Sequence, residues 1–202
     1  MFALIDNQQI TKFYSGNRGV TLGDIQYPKS IFTLWSESER NAIGIYEVTV
    51  DTTNKKDEAY YTNTNVSYGV ESNKAVGSYG TATPKLLEDR NETNEDGSPM
   101  LDADGNQVVT KGLKSQKKQI IKSQASGLLT PTDWYVLKAT DVEDYSVPSA
   151  VSTFRSDVRT RSNEMETAID NASDVDALAA LYAYNDDNPP TRPLGEFPTL
   201  EI

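Results

Sequence analysis

The sequence predicts an α+β fold: a β-rich N-terminal half, then a C-terminal helical hairpin and an extended Pro-rich arm. Three observations predict it. From Glu58 to Thr83 the chain is Tyr, Thr, Val, Asn, Ser and Gly, and Gly69, Gly77 and Gly80 interrupt every helical window. Val151, Phe154, Val158, Met165, Ala168 and Ile169 recur at spacings of three, four and seven, which places them on one helix face. Residues 188–202 hold 4 of the 9 prolines, where neither a helix interior nor a central strand tolerates them. The predicted organisation is a β-rich domain over 1–83, a polar hairpin and basic connector helix over 84–127, an acidic helical module over 128–187, and the arm over 188–202.

Taken in order, Phe2–Asp6 and Ile10–Tyr14 are β-rich runs flanking the turn-forming pair Asn7-Gln8, so they read as a hairpin. Gly16, Asn17 and Gly19 punctuate a loop, and Val20–Ile25 reads as one further strand before Tyr27-Pro28. Ser36 and Glu39 stand three apart as a capping box, opening a short helix with Ala42 and Ile43 on its apolar side and Gly44 as its stop. Tyr46–Val50 alternates as a strand should, and Ala59–Thr62, Val66–Val70 and Lys74–Tyr79 are candidate strands with a turn over 71–73.

The polar middle invites a calcium-loop reading, which fails on spacing. An EF-hand loop needs oxygen ligands at positions 1, 3 and 5, Gly at 6 and Glu at 12. Counting from Gly105 puts Met100 at position 1 and Lys111 at 12, and counting from Gly97 puts Ala103 at 12. An exposed hairpin with Asp104-Gly105 at its tip fits the residues instead. A basic helix follows, from about Lys111 or Leu113 to Ser126 and ended by Gly127, with Lys114, Lys117, Lys118 and Lys122 answering the acidic C-terminal third.

Thr130-Pro131-Thr132-Asp133 reads as a helix or turn entry, with Trp134 to Leu137 supplying core bulk and residues 141–144 a polar break. The best helix in the chain starts at Pro148 and runs to about Ala172. Ser173 and Asp174 cap a short one bearing Val175, Leu178 and Leu181, and these two helices are expected to form the hairpin. Arg155, Arg159 and Arg161 lie near Asp157, Glu164 and Glu166, which predicts intrahelical ion pairs of about 0.2–0.5 kcal/mol each. In the arm, Pro189, Pro190 and Pro193 favour an extended strand of chain, with Leu194, Phe197, Leu200 and Ile202 as apolar anchors for a neighbouring protein.

Composition narrows function. With no His and no Cys, the 202 residues offer no Ser-His-Asp triad, cysteine nucleophile, thiolate zinc site or imidazole ligand. The net charge of -11 argues against nucleic acid as a partner, and no run is long and apolar enough to predict a membrane span. Phe2–Ile5 is far short of a signal-peptide core. No Gly-rich phosphate loop occurs and no acidic pair is marked out, so no catalytic residue, metal ligand or cofactor is expected. The charge is uneven: residues 131–202 hold 5 basic and 14 acidic side chains, which suits either a solvated helical face or a docking surface for a basic partner.

The run Leu128-Leu-Thr-Pro-Thr-Asp-Trp134, then Val147-Pro148, then Phe154-Arg-Ser-Asp-Val-Arg159 resembles the tail-fibre-assembly and tail-assembly-chaperone-like modules of tailed bacteriophages. The opening Phe2–Phe13, with Ile25-Gln-Tyr-Pro28 and the short helix ending Ala42-Ile-Gly44, is similar to the first segment of many phage tail-associated proteins. The resemblance covers residues 1–50 and 128–182. It implies a non-enzymatic virion protein of the tail, fibre- or baseplate-associated, present in the host cytoplasm during assembly. Its expected partners are other tail proteins (fibre, baseplate or tube-associated) and further copies of itself. Trp134, Phe154, Arg155 and Arg159 take the motif positions; as ordinary structure, the two aromatics would be core and the arginines salt bridges. The alternatives are an assembly chaperone that does not stay in the virion and, more remotely, a carboxylate-dependent polysaccharide hydrolase.

Overall fold

The computed structural model describes residues 1–200. The chain divides into two compact units, Met1–Thr83 and Pro84–Ile202. The first is a curled sheet and the second is mainly helical, the α+β class that the sequence predicts.

Along the first unit run β1 (Phe2–Asp6), β2 (Gln9–Tyr14), β3 (Val20–Leu22), β4 (Ile25–Tyr27), α1 (Ile31–Leu34), α2 (Glu37–Ala42), β5 (Ile45–Asp51), β6 (Tyr61–Thr62), β7 (Val66–Glu71), β8 (Lys74–Tyr79) and β9 (Thr83–Pro84). Five strands form one sheet in the order β2-β1-β5-β8-β7, antiparallel except for the parallel β5–β8 pair. The pairs β3–β4 and β6–β9 are small ladders of their own. Both long hairpins turn through residues at positive φ, Asn7-Gln8 and Ser72-Asn73, the backbone handedness that matches strand twist. Ser36 and Glu39 make the predicted reciprocal capping box at the start of α2. The single strand expected over 20–25 is instead two, because the chain reverses at Gly23-Asp24 and pairs Leu22 with Ile25.

One face of the sheet carries Phe2, Leu4 and Ile45, which pack with Val20, Ile31 and Phe32 into the core of this unit. Phe2 and Phe32 lie ring to ring with centroids 4.7 Å apart. The other face is lined in its middle by small residues, with Val48 opposite Ala75 and Tyr68 opposite Gly77. A Cβ at Gly77 would come within 2.8 Å of the Tyr68 and Val66 side chains, so glycine there lets the sheet curl tightly. The curl is a half-barrel that brings its edge strands towards each other. Gln8 Nε2 donates to Asn73 Oδ1 at 2.7 Å, and Phe13 meets Tyr68 edge-on with centroids 4.9 Å apart.

The second unit contains β10 (Arg90–Asn91), β11 (Val109–Thr110), α3 (Leu113–Leu129), a 3-10 turn (Thr130–Thr132), α4 (Asp133–Asp141), α5 (Ser149–Asp170) and α6 (Val175–Ala180). Between β10 and β11 the polar hairpin closes on a tip where Asp102 Oδ1 accepts from the backbone of Asp104 and Asn106, at 3.0 and 2.8 Å. Its acids therefore satisfy their own turn. At the start of α3, Asp89 accepts from Gly112 N–H at 2.9 Å and from Lys111 Nζ at 2.8 Å. These donors, the lysine first, hold the Asp89 carboxyl down to about 2.

α3 passes through Gly127 without stopping and lies along α5, joining Ala125 to Phe154 and Val158 in a buried seam. Lys118 pairs with Asp170 at 2.6 Å and Lys122 with Glu166 at 3.2 Å along the same seam. The helical hairpin is thus α3 with α5, not α5 with the helix after it. The reason is length: α6 has six residues, while α3 has 17 to set against the 22 of α5. Asp174 caps α6 as expected, accepting from Ala177 N–H at 2.7 Å.

The arm corrects another expectation. Its anchors are used inside the chain rather than held out for a neighbour. Leu194 is 2% exposed and donates its N–H to Leu181 O at 2.9 Å. Phe197 and Leu200 pack on the Ala125–Phe154–Val158 cluster. Arg161 Nη2 donates to Leu194 O at 2.8 Å, and a Cβ on Gly195 (φ +71°) would fall on that guanidinium, 1.5 Å from Nη2. Nor is the arm extended throughout: Asn185 N–H donates to Thr191 O at 2.8 Å and Gly195 N–H to Arg192 O at 2.9 Å, so it turns back onto its own helices, whose apolar groove is near enough to take it. Ile202 lies outside the described residues.

Candidate interaction surface

α4 begins where the 3-10 turn at Thr130-Pro131-Thr132 ends, with Asp133 in its first turn. Its entry is fixed from α5. The Arg155 side chain, almost wholly buried, donates to Leu129 O at 2.9 Å, hydrogen-bonds Thr132 Oγ1, and pairs with Asp133 Oδ1 at 2.8 Å. A planar guanidinium with several fixed donors suits such a junction, where a lysine would offer one point charge. Arg155 was expected to pair within its own helix. Its partners lie 22 to 26 residues away because α5 turns this residue inward, beside Phe154.

Beyond that junction α4 has no cover, and none of its nine residues is buried. Trp134 is 50% exposed and Leu137 is 64% exposed. They stand three apart, so they share one side of the helix. Val136 and Val142 are exposed too. Trp134 lies against Tyr135 with centroids 3.7 Å apart, and Lys138 Nζ sits 4.3 Å from the Tyr145 ring centre. At the far end Asp141, Glu143 and Asp144 are exposed, and none of them takes part in an ion pair among the described residues. The surface is therefore an aromatic and aliphatic stripe ending in free carboxylates.

The four motif residues have separate surroundings. Phe154 is core, at 6% exposure. Trp134 is not core, against expectation, because the cover over Phe154 and Val158 comes from Leu128, Leu129, Phe197 and Leu200. Arg155 holds the junction. Arg159 is exposed and donates to the Arg155 carbonyl at 3.2 Å. Leu137, expected with Trp134 as core bulk, lies exposed on the same surface, and Val142, which the sequence did not single out, joins it. The signal was present: four bulky residues in a row, 134–137, point about 100° apart and cannot all face one core.

A second exposed feature lies in the first unit, an open cleft of about 420 Å³ lined by Lys12, Phe13, Tyr14, Gly16 and Arg18. Neither Lys12 nor Arg18 takes part in an ion pair among the described residues. Its sequence signal is local: residues 7–36 hold Lys12, Arg18 and Lys29 against Asp24 alone, within a chain of charge -11.

Among the described residues no group of three or more acids is placed to hold a metal ion, and no helix is long and apolar enough to cross a membrane. Against known proteins, the chain matches no family model, no curated protein and no solved structure.

Proposed function

We propose that this chain is a non-enzymatic structural protein of a bacteriophage tail, fibre- or baseplate-associated, that works through protein–protein contacts. One observation carries the contact mode: α4 is fixed at its base by Arg155 yet buries none of its own residues. Fully covering one residue of the size of Leu137 is worth about 1.5–3 kcal/mol, and Trp is the side chain most enriched at binding hot spots. Because α4 is anchored before it binds, less ordering entropy opposes docking. The tail setting is supported by the resemblance of residues 1–50 and 128–182 to phage tail-associated modules.

In this reading Trp134 and Leu137 are the contact, Arg155 positions them, Phe154 supports Arg155, and Arg159 sits exposed on the same helix. Leu194, Phe197 and Leu200 serve the fold. The test is mass spectrometry of purified virions with copy number. A fixed copy number supports a structural part, while abundance in the lysate with absence from the particle makes the protein an assembly chaperone. Trp134→Ala with Leu137→Ala is expected to keep the protein folded and remove it from particles.

A further inference from the structure

We propose that copies of this chain join head to tail, the α4 surface of one copy seating on the Lys12–Arg18 cleft of the next. This rests on the reading of α4 as a docking surface and adds the identity of what it docks on. The two surfaces complement each other in both chemistries. From Asp133 to Asp144 the chain carries four carboxylates against Lys138, and only Asp133 is occupied, by Arg155. At the cleft the balance is reversed, with Lys12 and Arg18 in its lining and no acid among the lining residues. The apolar parts correspond as well. Phe13 lines the cleft and lies exposed against an equally exposed Tyr68, a platform for Trp134 and Leu137. A cleft of about 420 Å³ has room for a large side chain with charged neighbours at its rim. The loop that forms it is held locally by the 2.6 Å hydrogen bond from Ser15 to Asn17.

Charge also decides the symmetry. An α4-on-α4 dimer would set Asp141, Glu143 and Asp144 against themselves, and a cleft-on-cleft dimer would do the same with cations. The favoured contact uses two different patches. A contact of that kind propagates, into a ring if the rotation closes and into a filament if it does not. Exposed charges are screened within about 8 Å at physiological salt, so the association weakens as salt rises.

The experiment is analytical ultracentrifugation of the full chain, from micromolar to millimolar, at low and high salt. Wild type is expected to grow past a dimer with concentration, and less so at high salt. Leu137→Glu removes the helix patch, Arg18→Glu removes the cleft, and each variant alone is expected to stay monomeric with an unchanged circular dichroism spectrum. Mixed in equal amounts they form dimers and nothing larger, because the first still offers a cleft and the second still offers a helix. Should either variant misfold, Trp134→Ser and Lys12→Glu take their places. A wild type that stays monomeric throughout, variants that assemble like wild type, or a mixture without dimers would each overturn the proposal. If the wild type is monomeric but Trp134 and Leu137 still govern entry into particles, head-to-tail joining falls while the docking role of α4 stands.

Discussion

α4 and α5 are neighbours in sequence, both follow a proline, and both carry aromatic and aliphatic residues, yet they have opposite fates. α5 buries Val151, Phe154, Val158, Met165 and Ile169 along one face, together with Arg155 and Ser162. α4 buries nothing. The difference is arrangement, not apolar content. In α5 the large side chains return every three or four residues and build a stripe that α3 can cover. In α4 they come consecutively and spread around the axis, so no single neighbour could take them all. Apolar bulk that no one face can hide is the sequence feature on which the docking proposal for α4 rests.

The comparison can be broken first at its buried side. Phe154→Ala is expected to cost about 3–5 kcal/mol in equilibrium denaturation, the range for a large core side chain. A loss under about 1 kcal/mol would mean the seam under the arm is loosely packed. Next in size is Leu194→Ala, at about 2–5 kcal/mol by the same measurement. A near-zero value would return the arm to the role of an external attachment. Arg155→Met is expected to cost about 1–3 kcal/mol, by removing the guanidinium's bonds to the Leu129 carbonyl and the Thr132 hydroxyl, which keep their bond to each other, and by unpairing Asp133. It should also raise the local mobility of Trp134, read as a fall in tryptophan anisotropy. If anisotropy does not change, something other than Arg155 fixes α4.

Smaller again is an effect of acid. Asp89 titrates at about 2 in the folded chain against an ordinary 3.8, so folding favours its ionised form. Its contribution is complete above pH 3.8 and disappears as pH falls towards about 2. Asp89→Asn should flatten the stability profile in that window, and parallel profiles for variant and wild type would mean that the bonds Asp89 accepts from Gly112 and Lys111 add no stability. The smallest effects belong to α4. Trp134→Ala and Leu137→Ala should each change stability by no more than about 0.5 kcal/mol, the usual range for exposed positions. A loss above about 2 kcal/mol would make α4 a second core and end the contrast with α5.

What the sequence revealed was local. The Asn7-Gln8 turn, the Ser36–Glu39 box, the Asp174 cap and the period of α5 each involve residues a few positions apart, and each stands as expected. The lysines of α3 also met the acids they were expected to answer, Lys118 with Asp170 and Lys122 with Glu166. The misreadings involve choices between distant partners. Gly127 looked like a stop, but a glycine in a helix that packs for 17 residues costs only about 1 kcal/mol. Once α3 ran on to Leu129 it became the long partner of α5. That seam, sealed by Phe197 and Leu200, left no place for Trp134. Of the four motif residues, sequence reasoning placed Phe154 correctly and could not place Arg155, whose partners are set by how α5 turns against the 3-10 segment.

The seal over that seam also has a timetable. A ribosome delivers Met1–Thr83 with all the residues of its curled sheet in hand, so the first unit is free to fold while synthesis continues. The second unit has its helices once Ala180 has emerged, but the lid over Phe154 and Val158 arrives only with residues 194–200. Until Leu194 settles under the Arg161 guanidinium, the nascent chain displays two greasy surfaces, the open seam and α4. Afterwards the seam is closed and α4 stays exposed. A chain stalled before Leu194 would thus carry a mark that holding chaperones and proteases can read, and release from them would coincide with the closing of the seam, which leaves α4 exposed.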